Sequence, residues 1–333
     1  MVSPPQPASA TSADGAAVRR ARPHDERVTA SLRTPAPCHD RATGGAGAPR
    51  VGRSACPRSW GAVMAILMCR PDHYGVEYEI NPWMHVETEV DGSMALAQWQ
   101  ALYNAYSLLG ERVEVVDQQP GLPDMVFTAN AAVVRGREAV LSRFRHPERQ
   151  GEEPFWRNAL ERRGITVHRV PDEVAFEGAG DALFVGERLF CGHGFRTDLG
   201  SHALVSRLLD VEVVSLRLVD PRFYHLDTCF CPLNERTVLF APAAFDAASQ
   251  QLVRRLVPHV IEVPAEVAAG FACNAISLGD RVISSLAAER LEEPLHDAGF
   301  ATVALPMSEF MKSGGGVRCL SLPLDGDGLA EAA

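Results

Sequence analysis

Nowhere does this 333-residue chain gather the roughly 18 consecutive apolar residues that a membrane-spanning helix needs, so no such helix and no membrane partner is expected. Its eight cysteines (Cys38, Cys56, Cys69, Cys191, Cys229, Cys231, Cys273 and Cys319) contain no Cys-x-x-Cys pair, and no secretion signal precedes them. Free thiols in a cytoplasmic protein are therefore expected rather than a disulfide framework. A basic surface is lacking too: the net charge is −10, and residues 64–333 alone carry −15. That balance argues against general nucleic-acid binding. The first 63 residues lack aliphatic periodicity and are rich in Ala, Pro, Arg, Ser and Gly, with nine arginines against four acidic residues. No apolar stretch or amphipathic face follows those arginines, so a targeting peptide is disfavoured. Residues 1–63 are expected to be a disordered extension, or translated upstream sequence with the start at Met64 or Met68. Residues 64–333 are long enough for one domain with a large core.

What the chain does have is a repeat. "NAAVVRGREAVLSRF", "GDALFVGERLFCGHGF", "TCFCPLNERTVLFAP" and "CNAISLGDRVISSLA" each read as strand, turn, strand. The turns fall at Gly136, Gly186, Asn234 and Gly279, spaced 50, 48 and 45 residues apart. Between them lie helical segments such as "GEEPFWRNALERRG" and "AFDAASQQLVRRLVP", each followed by a short strand, "ITVHRV" or "VIEVP". Segments near residues 67 and 317 look like the split halves of a fifth unit. A period of this length points to a solenoid or radial arrangement, and split ends favour closure of a ring.

In a ring, the starts of the first strands converge. Asp124, Asn130, Glu177, Asp181, His225, Asp227, Asn274 and Cys319 would then meet. The plain alternative is that polar residues at strand starts only cap and turn the chain. A cysteine beside a histidine is the minimal activated nucleophile. Surrounding carboxylates oppose thiolate formation unless the substrate supplies positive charge. A planar guanidinium would do so, since carboxylates accept its donors in pairs. Cys191, His193, His225, Cys229 and Cys231 could also be read as a zinc set, but Cys229-x-Cys231 is not a usual zinc spacing, and no metal is expected. "SGGGVRC" (313–319) lacks the glycine spacing and Lys-Ser/Thr ending of a phosphate-binding loop.

"INPWM" (80–84), "DMVFTAN" (124–130), "HPERQGE" (146–152), "FEGAGDAL" (176–183), "GFRTD" (194–198), "FYHLDTCF" (223–230) and "SGGGVRCLSL" (313–322) occur in this order. Together they make residues 64–333 resemble the amidinotransferase (guanidine-modifying) superfamily, in its dimethylarginine dimethylaminohydrolase and arginine dihydrolase branches. The resemblance implies a five-bladed α/β propeller of ββαβ units, in agreement with the repeat. It implies Cys319 as nucleophile, His225 as general acid and base, and Glu177 as the carboxylate orienting His225. Asp124 and Asp227 would hold guanidinium nitrogens, and Arg149 and Arg196 the substrate's α-carboxylate. Asn81 would touch substrate. Dimethylargininases have an acidic residue where this chain has Asn130, whereas the dihydrolase branch has Asn, which favours unmethylated arginine. The implied reaction is hydrolysis through a Cys319 thiouronium with no cofactor. Transfer of the amidino group to an acceptor amine, or arginine binding without turnover, are the alternatives. Arginine or methylarginine, one hydrolytic round or two, and homo-oligomer or monomer stay open.

Overall fold

In the computed structural model, residues 65–324 are described; the extension read at residues 1–63 lies outside them. The chain opens with strand β1 (Ala65–Cys69), a 22-residue connection, helix α1 (Gly92–Leu108) and strand β2 (Arg112–Val116), which runs parallel to β1. Asp91 caps α1 by accepting from the Ser93 and Met94 amides, satisfying two of the donors a helix start leaves over. Three strands follow, β3 (Ala132–Arg135), β4 (Glu138–Leu141) and β5 (Thr166–Arg169), with α2 (Glu153–Glu161) before the last. The same unit recurs as β6 (Ala182–Val185), β7 (Arg188–His193), α3 (Leu199–Leu209) and β8 (Glu212–Arg217). It recurs again as β9 (Phe230–Pro232), β10 (Thr237–Phe240), α4 (Ala247–Leu256) and β11 (His259–Glu262). The last full unit is β12 (Ile276–Leu278), β13 (Arg281–Ser285), α5 (Glu292–Asp297) and β14 (Ala301–Leu305). Strand β15 (Leu322–Leu324) then pairs antiparallel with β1, placing Leu324 opposite Ala65.

The result is five three-stranded sheets, each an antiparallel pair joined to a parallel third strand through a helix. This is the expected ββαβ unit, and the two ends of the described chain do share one sheet. Three of the hairpins turn at Gly136, Gly186 and Gly279, at φ of +58°, +56° and +60°. A side chain would disfavour that left-handed conformation, which is why glycine marks these turns in the sequence. The third strands are the least buried of each sheet, and β1 is wholly buried.

Apolar clusters join neighbouring sheets. Leu67 and Leu322 pack with Ala132 and Leu141, and Val133 and Val140 pack with Ala182 and Leu189. Phe190, Phe230, Phe240 and Val282 share one cluster, and Ile66 and Met68 share another with Ile276 and Ile283. Among the described residues no helix is long and apolar enough to cross a membrane.

Candidate active site

A short turn precedes the first strand of each sheet: Thr128–Ala131, Gly178–Asp181 and Leu226–Thr228, with turns ending at Asn274 and Leu320. These turns bond to one another. The Ala129 amide donates to the Cys319 carbonyl at 3.1 Å, and the Leu226 amide donates to Asp181 Oδ1 at 3.0 Å. Asn274 Nδ2 donates to the Asp227 carbonyl at 3.1 Å. The polar residues read at the strand starts are thus drawn into one buried cluster.

Cys319 is 2% exposed. Its Sγ donates to Asp227 Oδ2 at 3.3 Å and accepts from Asn274 Nδ2 at 3.1 Å, while its amide donates to Asn274 Oδ1 at 3.2 Å. Burial, followed by the negative charge of Asp227, holds the thiol well above its ordinary pKa. Without a cation beside it, Cys319 is therefore a thiol. Asp227 itself is pushed up to about 7 by burial, against an opposing pull from Arg318.

His225 gives Nε2 to Glu177 Oε2 at 2.7 Å, and its Nδ1 has no partner. Glu177 also accepts from Arg196 Nη1 at 3.0 Å and from the Arg145 amide at 3.1 Å. Burial acts to raise the Glu177 carboxyl, but Arg196 and the His225 bond outweigh it and leave the group well below the usual carboxylate range. A firm carboxylate at Nε2 and a free Nδ1 suit an imidazole that exchanges protons with something else.

Asn130 and Asp124 lie near Arg149. Arg149 donates from Nη1 to Asn130 Oδ1 at 2.8 Å, from Nη2 to the Asp124 carbonyl at 3.1 Å, and in a fork to Glu152 at 2.7 and 3.0 Å. Since Arg149 can only donate, the amide oxygen of Asn130 faces it and Nδ2, which has no partner, points the other way. Burial pushes Asp124 up to about 6. Arg149 and Arg196, expected at a substrate carboxylate, are both engaged inside the protein. Arg196 spans Glu177 and the Ile80 carbonyl, the latter at 3.0 Å, and lies over the Tyr224 ring.

Residues 70–91 cross this region as a connection without helix or strand. Asn81 Nδ2 donates to the Ser313 carbonyl at 3.0 Å, and Asn81 Oδ1 accepts from the Trp83 amide at 2.9 Å. Both ends of Asn81 therefore tie this connection to the glycine run. The glycines lie against packed side chains rather than open space. A side chain on Gly314 would meet Trp83, Asn81 and Tyr224, one on Gly315 would overlap the Phe127 ring, and one on Gly316 would meet Asn274. The backbone is bare there because the protein's own rings and amides pack against it.

Two contributors escaped the sequence reading. Asn274 appeared only among the converging polar residues, yet it contacts Cys319 twice. Glu152, 0% exposed, is the counter-charge of Arg149, and the only signal was its place three residues on within "HPERQGE". Among the described residues no group of three or more His, Cys, Asp or Glu is placed to hold a metal ion. Of the ten buried side-chain nitrogen and oxygen atoms without a partner among the described residues, five belong to this cluster: Asp124 Oδ1, Asn130 Nδ2, Asp181 Oδ2, His225 Nδ1 and Asp227 Oδ1. Native interiors leave few such atoms, so their concentration here marks a place built for a polar, donor-rich guest.

The family model for eukaryotic N,N dimethylarginine dimethylhydrolase matches residues 77–325. The bifunctional arginine dihydrolase/ornithine cyclodeaminase ArgZ of Synechocystis sp. is 47% identical over 262 residues, 77% of this chain and 37% of that protein. The N(G),N(G)-dimethylarginine dimethylaminohydrolase of Mycobacterium tuberculosis is 42% identical over 260 residues, covering 77% of this chain and 84% of that protein. The crystal structure of the N-terminal domain of ArgZ bound to substrate superimposes with a TM-score of 0.76 at 47% identity, covering 78% of this chain and 98% of that one. That domain has also been solved covalently bonded to a reaction intermediate. This chain thus spans little more than a third of full-length ArgZ.

Proposed function

As a member of the N,N-dimethylarginine dimethylhydrolase family, which the match over residues 77–325 establishes, this chain is one for which we propose hydrolysis of the guanidino group of arginine at Cys319. The observation that carries the reading is the pairing of a buried thiol, held neutral by Asp227, with unpartnered acceptors and a free imidazole nitrogen around it. A guanidinium bound at Asp227 brings the positive charge that favours the thiolate, so the nucleophile forms only when substrate is present.

The steps follow from that geometry. Binding of the cation favours transfer of the thiol proton to the free Nδ1 of His225, and Sγ adds to the guanidino carbon. Protonated His225 gives its Nδ1 proton to the departing nitrogen, and ammonia leaves. A thiouronium remains on Cys319. His225, now neutral, takes a proton from water as that water adds to the same carbon. Collapse breaks the C–S bond and yields a ureido product. Glu177 keeps the imidazole oriented and compensates its charge throughout.

The orientation of Asn130 favours a second round. Its free Nδ2–H is a donor, suited to the carbonyl oxygen of a ureido group, where a carboxylate would repel that oxygen. Two rounds convert arginine and two waters into ornithine, carbon dioxide and two ammonia. Cleavage of methylated arginine to citrulline and an amine is the second reading, motivated by the family itself. The catalytic domain is read as residues 64–333. The six free buried cysteines among the described residues fit a reducing, cytoplasmic setting.

Purified protein is incubated with arginine and, separately, with dimethylarginine, and the products are identified by mass. Ornithine and ammonia from arginine are expected. Dimethylamine and citrulline as the sole products would move the assignment to the second reading. Tight binding of arginine without turnover would overturn both.

A further inference from the structure

Asp181 has no part in the steps above, yet it is placed as deliberately as Glu177. It is 1% exposed and ends the Gly178–Asp181 turn, of which Glu177 is the residue just before. Its Oδ1 accepts the amide of Leu226, the residue after His225, at 3.0 Å. Its Oδ2 has no partner, and among the described residues no lysine or arginine forms an ion pair with it. The surroundings make way for it. A side chain on Gly192 would lie 2.9 Å from Asp181 Oδ1 and 3.0 Å from Leu226 Cβ. A side chain on Gly180 would lie 3.3 Å from His225 Nδ1. One short turn therefore holds His225 twice: Glu177 takes the ring at Nε2, and Asp181 takes the main chain behind it.

A carboxylate is an expensive way to accept one amide. An asparagine or serine would do so without a buried charge. The charge needs a reason, and the group that acts most strongly on this carboxyl, after burial itself, is His225. Burial pushes Asp181 up to about 6, so it is an anion at pH 7 and above. We infer that Asp181 is a positioning residue for His225, anchoring its main chain through Oδ1 and stabilising the imidazolium by its negative charge. This rests on His225 acting as general acid and base. With Glu177 already shared with Arg196, the second carboxylate supplies negative charge that Arg196 does not neutralise.

The titratable and charged groups facing His225 and Asp181 are Glu177, Arg196, Tyr224, Cys191 on β7 and Cys229, whose Sγ donates to the Leu226 carbonyl at 3.4 Å; the neutral Thr197 hydroxyl faces Asp181, and the Asn130 amide lies beside the His225 ring. Only Glu177 and Arg196 are charged at neutral pH, and neither changes in the variants below.

The test replaces Asp181 by Asn in the full chain, which keeps an acceptor for the Leu226 amide and removes the charge. The imidazole pKa of His225 is followed by NMR of histidine-labelled protein in a Cys319→Ser background, with its signal assigned by His225→Gln. Asp181→Asn is expected to lower that pKa by about one unit. In the Cys319-containing protein it is expected to lower kcat about tenfold, with KM changed less than about threefold. An unchanged imidazole pKa overturns the inference whatever the activity, leaving Asp181 a turn cap. If the parent protein turns over no arginine, the proposed function fails, while the NMR shift still decides the role of Asp181.

Discussion

Asn274 holds Cys319 from both ends of one amide: Nδ2 donates to Sγ at 3.1 Å, and Oδ1 accepts the Cys319 amide at 3.2 Å. A donor aimed at the sulfur favours the thiolate over the thiol, and the second bond fixes the backbone that carries it. Asn274→Ala removes both, and kcat is expected to fall roughly 10- to 100-fold with little change in KM. Asn274→Asp places a further negative charge beside the sulfur and Asp227. The pH at which Cys319 reacts with iodoacetamide should then move upward relative to the parent, as read from alkylation rates against pH. A reactive pH unchanged in both variants would show the contacts to be structural only.

Asp227 should trade stability for function. Its carboxyl titrates near 7 in the folded protein and near 4 in the unfolded chain. Between those values the folded state holds a proton that the unfolded state has lost, so stability falls as pH rises through this window. Above pH 7 the whole cost is present, on the order of 3–4 kcal/mol. Asp227→Asn never ionises. It is expected to abolish turnover while raising Tm at pH 8 by roughly 5–10 °C, with the gain vanishing near pH 4. Thermal melts of the two proteins across that range check the sign.

His202 works in the opposite direction. It is buried between Ser215 Oγ, 2.7 Å from Nδ1, and the Gly192 carbonyl, 3.3 Å from Nε2. Burial pulls its pKa down to about 4. In the unfolded chain it takes up a proton near 6.5, so its stabilising effect is complete above that pH and is lost as pH falls toward 4. The size is on the order of 3 kcal/mol. His202→Gln should flatten the dependence of Tm on pH between 4 and 6.5. Parallel curves for the two proteins would show that other groups set the acid sensitivity.

The glycine run should not tolerate a methyl group. Gly315→Ala would drive a Cβ into the Phe127 ring, so either the ring or the run carrying Cys319 must shift. We expect a loss of about 1–3 kcal/mol in stability by denaturant melts and a larger proportional loss in kcat. Gly136→Ala, which meets no atom within 4 Å but sits at φ +58° in a hairpin turn, should cost stability and leave kcat intact.

The fold was legible because its signals are local. Gly136, Gly186 and Gly279 mark three hairpins, and the apolar runs beside them are the strands. Cys319, His225 and Glu177 were singled out through ordered motifs, and the Glu177–His225 contact fits the resemblance. What stayed hidden depends on partners far along the chain. Asn274 and Cys319 are separated by 45 residues, and no local pattern announces that one amide will meet both the amide and the sulfur. Nothing in "HPERQGE" says that the Arg149 fork turns inward to Glu152 and Asn130. The purpose of the glycines of "SGGGVRC" was hidden too, because the rings packed against them come from Trp83, Phe127 and Tyr224, far along the chain.

Strand β15 brings β1 its antiparallel neighbour, and the turn just before β15 carries Cys319. On a ribosome these arrive after everything else in the described chain. A nascent polypeptide ending between residues 228 and 318 already contains Glu177, His225 and Asp227, but it leaves the β1 edge unpaired and lacks the proposed nucleophile. Under the proposed chemistry at Cys319, completion of the last sheet and acquisition of chemical competence are thus one event, and a chain truncated before residue 319 is expected to be inert rather than partly active.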